Sequence, residues 1–155
     1  SLPPCRPPPP RRHLAQCTGP SMYPTFETSG DCIVIDRWSR HHGLQVGDII
    51  VAKSPNKPSE TVCKRVLGLP GDVVYDNGPD NVYLHAAVRP FTVPAGHMWL
   101  QGDNTSNSND SRNYGAVPLA MCVGRATYRV WPLHRFGPIP RVPSTPAPPG
   151  PGDWN

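Results

Sequence analysis

The chain has 155 residues and a formal net charge of +4, and its length corresponds to about one domain. No basic stripe interleaved with aromatic residues accompanies this modest charge, so the composition argues against nucleic-acid binding, while an anionic membrane surface is a compatible neighbour. The five cysteines include no C-x-x-C pair, so the sequence predicts neither a zinc site nor a full disulfide framework. No metal and no cofactor are predicted.

Hydrophobic segments of the kind used for membrane insertion or secretion are not found in the sequence. No stretch of about 18 apolar residues is present, so no transmembrane helix is predicted. The N-terminus lacks the apolar core of a secretory signal. The unpaired cysteines indicate a compartment that is reducing or that tolerates free thiols.

The 23 prolines concentrate at the two ends of the chain and set the predicted boundaries. A Pro/Arg-rich opening (residues 1–16) and a Pro/Gly-rich tail (residues 138–155) are predicted to be disordered, because this composition offers little surface for burial. Residues 17–137 are predicted to form one domain, which is long enough to bury an apolar core.

Short β-type runs recur along that domain, each bounded by turn residues. Because long helical periodicity is missing, the fold is predicted to be mostly β, with twisted antiparallel sheets and a helical turn near Pro118–Met121. Asp48 is interpreted as a turn-capping carboxylate. The predicted strands are Cys32–Asp36, Asp48–Lys53, Thr61–Val66, Asp72–Tyr75, Val82–His85, His97–Leu100 and Val123–Trp131.

The first segment that could carry chemistry is the turn around Ser21. Pro20 precedes the serine directly, Pro24 follows it three residues later, and Gly19 stands two residues before it. The prolines restrict the backbone on both sides, so the serine hydroxyl is held in place. An ordinary polar turn has the same composition, and this segment alone leaves both interpretations open.

The second segment is the strand that contains Lys64. With a period of two residues, Val62, Lys64 and Val66 share one face of the strand. An ammonium against apolar neighbours loses hydration, which lowers its pKa and makes a neutral amine available as a general base. The alternative is an edge-strand lysine that discourages association between sheets and bends its tip back to water.

The third segment is a loop of short polar residues from Gly102 to Gly115. Such a loop forms either an internal hydrogen-bond network or a solvated surface. A calcium loop of the EF-hand type is excluded, because Ser108 stands where that loop needs glycine and Tyr114 where it needs a bidentate glutamate.

A serine and a lysine can act together without a histidine. The serine hydroxyl is a weak nucleophile at neutral pH, and a neutral amine within hydrogen-bond reach can take its proton during attack. Histidines at positions 41, 42, 85, 97 and 134 are scattered outside these segments. They are interpreted as surface or core residues, and no Ser-His-Asp triad is predicted.

The order of four motifs is more specific than any one of them. S-M-x-P-T, G-D-I-I-V, K-R-V-x-G-x-P-G-D and G-D-N-x-x-x-S-x-D-S-R-x-x-G follow one another between residues 17 and 137. In this order they resemble the signal peptidase I family of membrane-bound serine proteases. The compact spacing from Ser21 to Lys64 and the Gly19-Pro20 pair look most like the mitochondrial inner membrane branch of that family, subunit 1.

The resemblance assigns a role to each matching residue. It implies that Ser21 is the nucleophile, that its backbone N–H is an oxyanion donor, and that Lys64 is the general base. Ser108 matches the serine that hydrogen-bonds the lysine amine and orients it. Asp110 and Arg112 match the pair that supports the loop beneath the dyad.

Neighbouring residues receive lesser roles from the same resemblance. Asp103 and Asn104 open the polar loop and are expected to be structural. Met22, Val62 and Cys63 are expected to line a small pocket for the substrate residue before the scissile bond. The substrate would be a precursor protein whose extended segment adds a strand to a sheet edge.

Two features depart from the pattern of the family. Many bacterial relatives carry a hydroxyl residue two positions before the nucleophile, and Gly19 cannot supply that oxyanion donor, so Thr18 or a water would replace it. A hydrophobic anchor is expected ahead of the serine, and Pro/Arg-rich sequence stands there instead. Either the anchor was lost or removed, or a partner subunit holds the chain at the membrane.

The resemblance also implies a location and partners. It predicts a presequence-removing endopeptidase at the inner membrane surface of the mitochondrion, facing the intermembrane space, with a second peptidase subunit and without nucleic acid. One alternative is a signal peptidase of another membrane, and another is a self-cleaving repressor, which lacks support because no helix-turn-helix candidate precedes residue 17. A third is a silent adaptor that presents the proline-rich segment 6–11 to SH3-type or WW-type partners.

Overall fold

The computed structural model describes residues 11–40, 42–76 and 89–141. Within them the chain forms ten strands, one short helix and three 3-10 turns. The strands are β1 (Arg12–Cys17), β2 (Asp31–Asp36), β3 (Ile49–Lys53), β4 (Thr61–Gly68), β5 (Val73–Asp76), β6 (Arg89–Thr92), β7 (His97–Gln101), β8 (Val117–Pro118), β9 (Cys122–Trp131) and β10 (Gly137–Pro138), the helix is α1 (Ser111–Tyr114), and the 3-10 turns are Trp38–Arg40, Leu119–Met121 and Leu133–Arg135.

Eight of the described strands form one antiparallel sheet. Its order is β1-β2-β9-β3-β4-β7-β8, with β10 added to β9, while β5 and β6 form a separate hairpin. The ten-residue β9 lies at the centre and pairs with both β2 and β3. The predicted mostly β, antiparallel fold is confirmed, and the helical turn predicted near Pro118–Met121 is found at Leu119–Met121.

Both faces of the central sheet are covered, and β3 shows why. Its residues alternate between two apolar clusters, with Ile49 and Val51 in one and Ile50 and Ala52 in the other. A strand buried on both faces is an almost continuous apolar run, which matches the core strand predicted here. The first cluster also includes Phe26, which closes the inner face of the sheet.

The curvature of the sheet places β1 beside β4, although the two strands do not pair. Three strands separate them in the sheet order, yet Cys17 of β1 and Cys63 of β4 line one cavity and pack against the same apolar cluster. Twist accumulates from strand to strand and bends such a sheet around its core. The predicted nucleophile and the predicted base meet at this cavity.

The predicted boundaries of the domain are wrong at both ends. Residues 12–16, assigned above to a disordered segment, belong to β1, which pairs along its whole length with β2. At the other end, Ile139 packs against the core and Arg141 binds Asp48. Proline content misled the prediction, because partners distant in the sequence supply the hydrogen bonds and the buried surface. The predicted disorder of residues 1–10 and 142–155 lies outside the described residues.

The predicted strands agree with the structure where it describes them. Val82–His85 lies outside the described residues, and every other predicted strand is found within two residues of its predicted bounds. β6 and α1 were not predicted, since Arg89–Thr92 contains a proline and α1 has only four residues. No helix in the described ranges is long and apolar enough to cross a membrane.

Candidate active site

Ser21 lies in the turn that follows β1, and its position is held from two sides. Asn104 donates from its backbone N–H to the Ser21 carbonyl (2.9 Å) and from its side-chain amide to the Pro20 carbonyl (3.0 Å). On the inner side, Met22 and Phe26 are buried in the apolar cluster. The backbone around the hydroxyl is therefore tied to the polar loop and anchored in the core.

Lys64 reaches this serine from β4. Its Nζ lies 2.8 Å from Ser21 Oγ, within hydrogen-bond distance. The lysine is only 4% exposed. Ile50 lies opposite it on β3, and Val66 follows two residues later on β4, so both apolar side chains share its face of the sheet. The alternative of a solvated edge lysine is excluded by this burial.

Burial lowers the pKa of the Lys64 amine below its usual value, because the charged form loses its hydration. The negative charge of Asp110 opposes this shift without cancelling it. A lowered pKa raises the fraction of neutral amine near neutral pH. The amine can then take a proton from the hydroxyl that it contacts, which is the chemistry required of a general base.

The polar loop is organised around Asp110, which is completely buried. Its two carboxylate oxygens accept hydrogen bonds from Nε (2.9 Å) and Nη2 (3.0 Å) of Arg112. Asp110 also caps α1 by accepting from the backbone N–H of Arg112, and it accepts from the N–H of Gly102 (2.9 Å). The loop is thus an internal hydrogen-bond network, one of the two forms that the sequence left open.

The protonation of Asp110 reflects the same contacts. Burial pushes the pKa of its carboxyl upward, but hydrogen bonds from Arg112 and Gly102, together with the neighbouring Ser108 hydroxyl, outweigh that effect. The pKa of Asp110 therefore lies below its usual value. A buried carboxylate that stays charged keeps Arg112 bound and the loop closed.

Ser108 lies against the backbone of the nucleophile. Gly102, Ser108 and Ser21 are packed closely together. A Cβ added to Gly102 would lie only 2.2 Å from Ser108 Oγ and 2.5 Å from the carbonyl oxygen of Ser21, so no side chain fits at position 102. The Ser108 hydroxyl is buried, and it makes no hydrogen bond of regular geometry with any described residue. The predicted bond to Lys64 is therefore not formed in this arrangement, and the orienting role of Ser108 stays a prediction.

Arg65 is a supporting residue that the sequence analysis did not single out. It donates from Nε and Nη2 to the two oxygens of Asp103 (2.7 and 2.6 Å) and from Nη1 to the Gly47 carbonyl (2.8 Å). Asp103 also accepts from the hydroxyl of Thr25. These bonds connect β4 to the polar loop and to the Ser21 segment. An arginine next to the candidate base, within a buried strand, could have signalled the need for a carboxylate partner.

A cavity of about 170 Å³ opens beside the dyad. Met22, Val62 and Cys63, the residues predicted to contact the substrate, all line it together with Ser21 and Lys64. The sequence analysis missed the contribution of β1, which supplies Ala15, Gln16 and Cys17 to the opposite wall. Their contribution follows from the pairing of β1 with β2, which local sequence did not indicate.

Among the described residues, no group of three or more His, Cys, Asp or Glu side chains is placed to hold a metal ion. No histidine lines the cavity beside Ser21. The hydroxyl and the amine are therefore the reactive groups that this site brings together.

Comparison with known proteins identifies the family of this chain. The family model of signal peptidase, peptidase S26, matches residues 13–86 and 76–131. The chain therefore belongs to the signal peptidase family S26, a family of serine peptidases.

Its curated relatives are peptidases of the mitochondrion. The chain is 51% identical over 129 residues to the mitochondrial inner membrane protease subunit 1 of Xenopus tropicalis, which covers 83% of this chain and 74% of that protein. Identity to the Homo sapiens subunit 1 is 44% over 125 residues, covering 80% and 72%. Subunit 2 of Danio rerio is 39% identical over 126 residues, covering 80% and 65%.

Among solved structures, a signal peptidase I from Enterococcus faecalis aligns with a TM-score of 0.45 at 28% identity. The alignment covers 56% of this chain and 98% of that chain.

Proposed function

We propose that this peptidase removes targeting or sorting presequences from precursor proteins at the mitochondrial inner membrane, facing the intermembrane space. Membership of the signal peptidase family supports the reaction, and the subunit 1 relatives from Xenopus tropicalis and Homo sapiens, named for that membrane, support the location. The observation that carries the proposal is the 2.8 Å contact between Lys64 Nζ and Ser21 Oγ beside a cavity.

The first half of the reaction is acylation of Ser21. Neutral Lys64 takes the hydroxyl proton while Ser21 Oγ bonds to the scissile carbonyl carbon, and the carbonyl oxygen becomes an oxyanion. The protonated lysine then gives its proton to the departing amine as the peptide bond breaks. The mature protein leaves, and the presequence stays attached to Ser21 as an ester.

The second half is hydrolysis of that ester. Lys64, neutral again, takes a proton from water while the water oxygen bonds to the ester carbonyl carbon, and it then gives that proton to Ser21 Oγ as the ester bond breaks. The presequence leaves with a free carboxyl group, and Ser21 and neutral Lys64 are regenerated. In both halves the backbone N–H of Ser21 is the proposed oxyanion donor. Gly19 has no side chain to add a second donor, and Thr18, which lines the cavity, is the proposed substitute.

The polar loop is proposed to position the dyad. Asp110 and Arg112 brace the loop, and Ser108, which adjoins Ser21 and Gly102, is proposed to bind the amine of Lys64 when it is protonated during turnover. The Ser108 hydroxyl acts on the Asp110 carboxylate, and its oxygen can also accept a hydrogen bond from the ammonium. Because Asp110 stays charged, it also stabilises the ammonium that forms on Lys64.

The substrate is proposed to bind as an added strand between β1 and β4. β7 pairs with β4 only from Arg65 onward, which leaves the outer edge of residues 61–64 without a described partner. Among the described strands, β1 pairs only with β2, so its other edge has no described partner either. An extended peptide between these edges would receive main-chain hydrogen bonds and would pass beside Ser21.

The substrate residue before the scissile bond is proposed to enter the adjoining cavity. Met22, Val62 and Cys63 contribute apolar surface there, and the volume of about 170 Å³ is on the scale of one side chain. The fit of the side chain to this pocket would contribute to selectivity, because an oversized group cannot be accommodated without strain.

A second peptidase subunit is the proposed partner of this chain at the membrane. Relatives are named both as subunit 1 and as subunit 2 of an inner membrane protease. Affinity purification of the full chain from mitochondrial membranes tests this proposal. Recovery of a second S26 peptidase in constant ratio is expected, and recovery of the chain alone would contradict it.

The catalytic proposal is tested with Ser21→Ala, assayed for cleavage of a presequence-bearing precursor by the full chain. We expect cleavage to fall to background while the unfolding midpoint stays close to that of the parent, because one hydroxyl contributes little to stability. Ser59→Ala, which removes an exposed hydroxyl, is the matched control and should cleave normally. Processing by the Ser21→Ala chain would remove Ser21 from its role.

A further inference from the structure

The wall of the cavity contains two cysteines that the proposed reaction does not use. Cys17 is the last residue of β1 and Cys63 lies near the start of β4, so they stand on the two strands between which the substrate is proposed to bind. Both are free thiols and both are only half-buried. They line the same cavity as Ser21 and Lys64.

The two thiols line one cavity and pack against the same apolar cluster, and their neighbourhood makes them chemically unequal. The hydrogen bond from Cys63 lowers the pKa of Cys17, whereas the same bond and burial raise the pKa of Cys63. Cys17 is therefore the thiol that forms a thiolate first. A low-pKa thiol beside a second thiol is the arrangement in which one cysteine attacks and the other resolves a mixed disulfide.

We propose that Cys17 and Cys63 form a reversible modification site, at which a small-molecule disulfide oxidises them to a bond that ties β1 to β4 and closes the substrate groove. The closure rests on the proposed binding mode, whereas formation of the bond does not. The two side chains share one cavity and one apolar cluster, so the bond requires them to approach each other across that cavity to the S–S length of about 2.05 Å.

The chemistry is two successive thiol–disulfide exchanges. The Cys17 thiolate attacks one sulfur of glutathione disulfide, which forms a mixed disulfide and releases one glutathione. The Cys63 thiolate then attacks the Cys17 sulfur, which forms the Cys17–Cys63 bond and releases the second glutathione. The protein loses two electrons and two protons, and the oxidant gains both to become two molecules of glutathione.

The consequence for the site follows from the place of the bond. Oxidation joins the two walls of the cavity and removes the freedom of β1 and β4 to separate around a peptide. Cleavage should therefore fall by about tenfold or more, the scale expected when a reacting group is misplaced relative to its substrate. Reduction by dithiothreitol should restore it.

The test treats the reduced full chain with glutathione disulfide, blocks the remaining thiols, digests with trypsin and identifies linked peptides by mass. Residues 13–37, which contain Cys17 and Cys32, should be linked to residues 54–64, which contain Cys63. Cys32→Ser is the matched control and should keep the link. Cys17→Ser should lose it, and Cys63→Ser should stop at the mixed disulfide on Cys17.

Each outcome decides the proposal. Two results together support it. The first is the pair of linked peptides. The second is a loss of cleavage on oxidation that dithiothreitol reverses, seen in the parent and in Cys32→Ser but not in Cys17→Ser. The proposal is overturned if the parent shows no link, if the parent stops at a mixed disulfide, or if the link forms and cleavage is unchanged. If the reduced parent does not cleave the precursor at all, the proposed function fails, and the mass measurement still reports whether the thiol pair forms.

Discussion

At the scale of single residues, the site depends on a lysine kept in an unfavourable environment. Lys64 is buried beside apolar side chains, and Asp110, the carboxylate whose charge acts on it, is paired with Arg112 rather than with the amine. A salt bridge to Lys64 would hold the amine protonated and remove its use as a base. Burial without such a bridge is what makes the neutral form available.

The first prediction concerns the pH dependence of cleavage. Because burial lowers the pKa of Lys64, kcat/KM should rise from acid pH to a plateau in the neutral to mildly alkaline range. A pH–rate profile of precursor cleavage by the full chain measures it. A rate that still climbs steeply beyond about pH 10, where solvated lysines titrate, would show that Lys64 is not the base.

The second prediction concerns the effect of the lowered Lys64 pKa on the stability of the fold. The pKa of Lys64 is lower in the folded chain than in the unfolded chain, so the buried amine destabilises the fold. The destabilisation is complete at pH values below the folded pKa. It fades as the pH rises toward the unfolded pKa. Lys64→Met should therefore be inactive yet at least as stable as the parent at neutral pH in urea unfolding. Lys53→Met, at an exposed lysine, is the control, and a clearly destabilised Lys64→Met chain would contradict the account.

The third prediction concerns the hydroxyl of Ser108. If it orients the Lys64 amine, Ser108→Ala should lower kcat by about 10²-fold with little change in KM, since positioning rather than ground-state binding is lost. Thr105→Ala removes an exposed hydroxyl from the same loop and should be neutral. Steady-state kinetics on the precursor decide the matter, and an unchanged kcat would leave Ser108 with a packing role only.

At the scale of elements, the loop from β7 to β8 holds the dyad in place through a network of hydrogen bonds, which we call the brace. Asp110 joins the start of the loop, at Gly102, to α1 at its end, and Asp103 joins it to Arg65 on β4. Asn104 then holds the backbone of Ser21. Nucleophile, base and loop are thereby connected through hydrogen bonds in which each buried charge has a partner.

The fourth prediction tests that brace with Asp110→Asn. Removing one charge of a buried pair leaves Arg112 uncompensated, and unfolding free energy should fall by about 3 kcal/mol or more at neutral pH. The folded pKa of Asp110 is depressed, so its stabilisation is present above the unfolded pKa and is lost as pH falls through the folded pKa.

Urea unfolding of the parent and of Asp110→Asn as a function of pH measures the difference, which should shrink in acid. Asn109→Ala, at the exposed neighbouring position, is the control and should unfold like the parent. A difference between the parent and Asp110→Asn that is independent of pH would show that lost packing, rather than charge, explains the change.

At the scale of the whole molecule, the curved sheet assembles the site from distant parts of the chain. β1 and β4 lie at separate places in the sheet order and meet at the cavity. The segment after β10 contributes as well, because Ile139 packs on the core and Arg141 binds Asp48 at 2.6 Å. The ordered unit therefore extends beyond the boundaries that proline content indicated.

The fifth prediction follows from that extension. A chain ending at residue 137 should be less stable than one ending at residue 141 by about 1–2 kcal/mol, the scale for losing a partly buried apolar side chain, with a small addition from the half-exposed ion pair. Urea unfolding of both chains measures it. Equal midpoints would show that residues 138–141 contribute nothing to the fold.

The sequence indicated candidate reactive residues because their chemistry is local. A serine beside prolines and a lysine beside valines are visible in short windows, and the order of four motifs indicated the family. The brace was only partly predicted, since Arg65 is meaningful only next to Asp103, which lies 38 residues away in the sequence. β6 was missed because a proline in a short run argues locally against a strand.

The sequence by itself determined the fold class, the candidate nucleophile, the candidate base and the motifs of the polar loop, because alternation, turn residues and motif order are written in consecutive positions. The tertiary structure alone decided that β1 is ordered, that Cys17 and Cys63 line one cavity, and that Lys64 is buried within reach of Ser21. The physical reason is that burial and pairing depend on partners brought together by the curvature of the sheet. No window of the chain contains both members of such a contact.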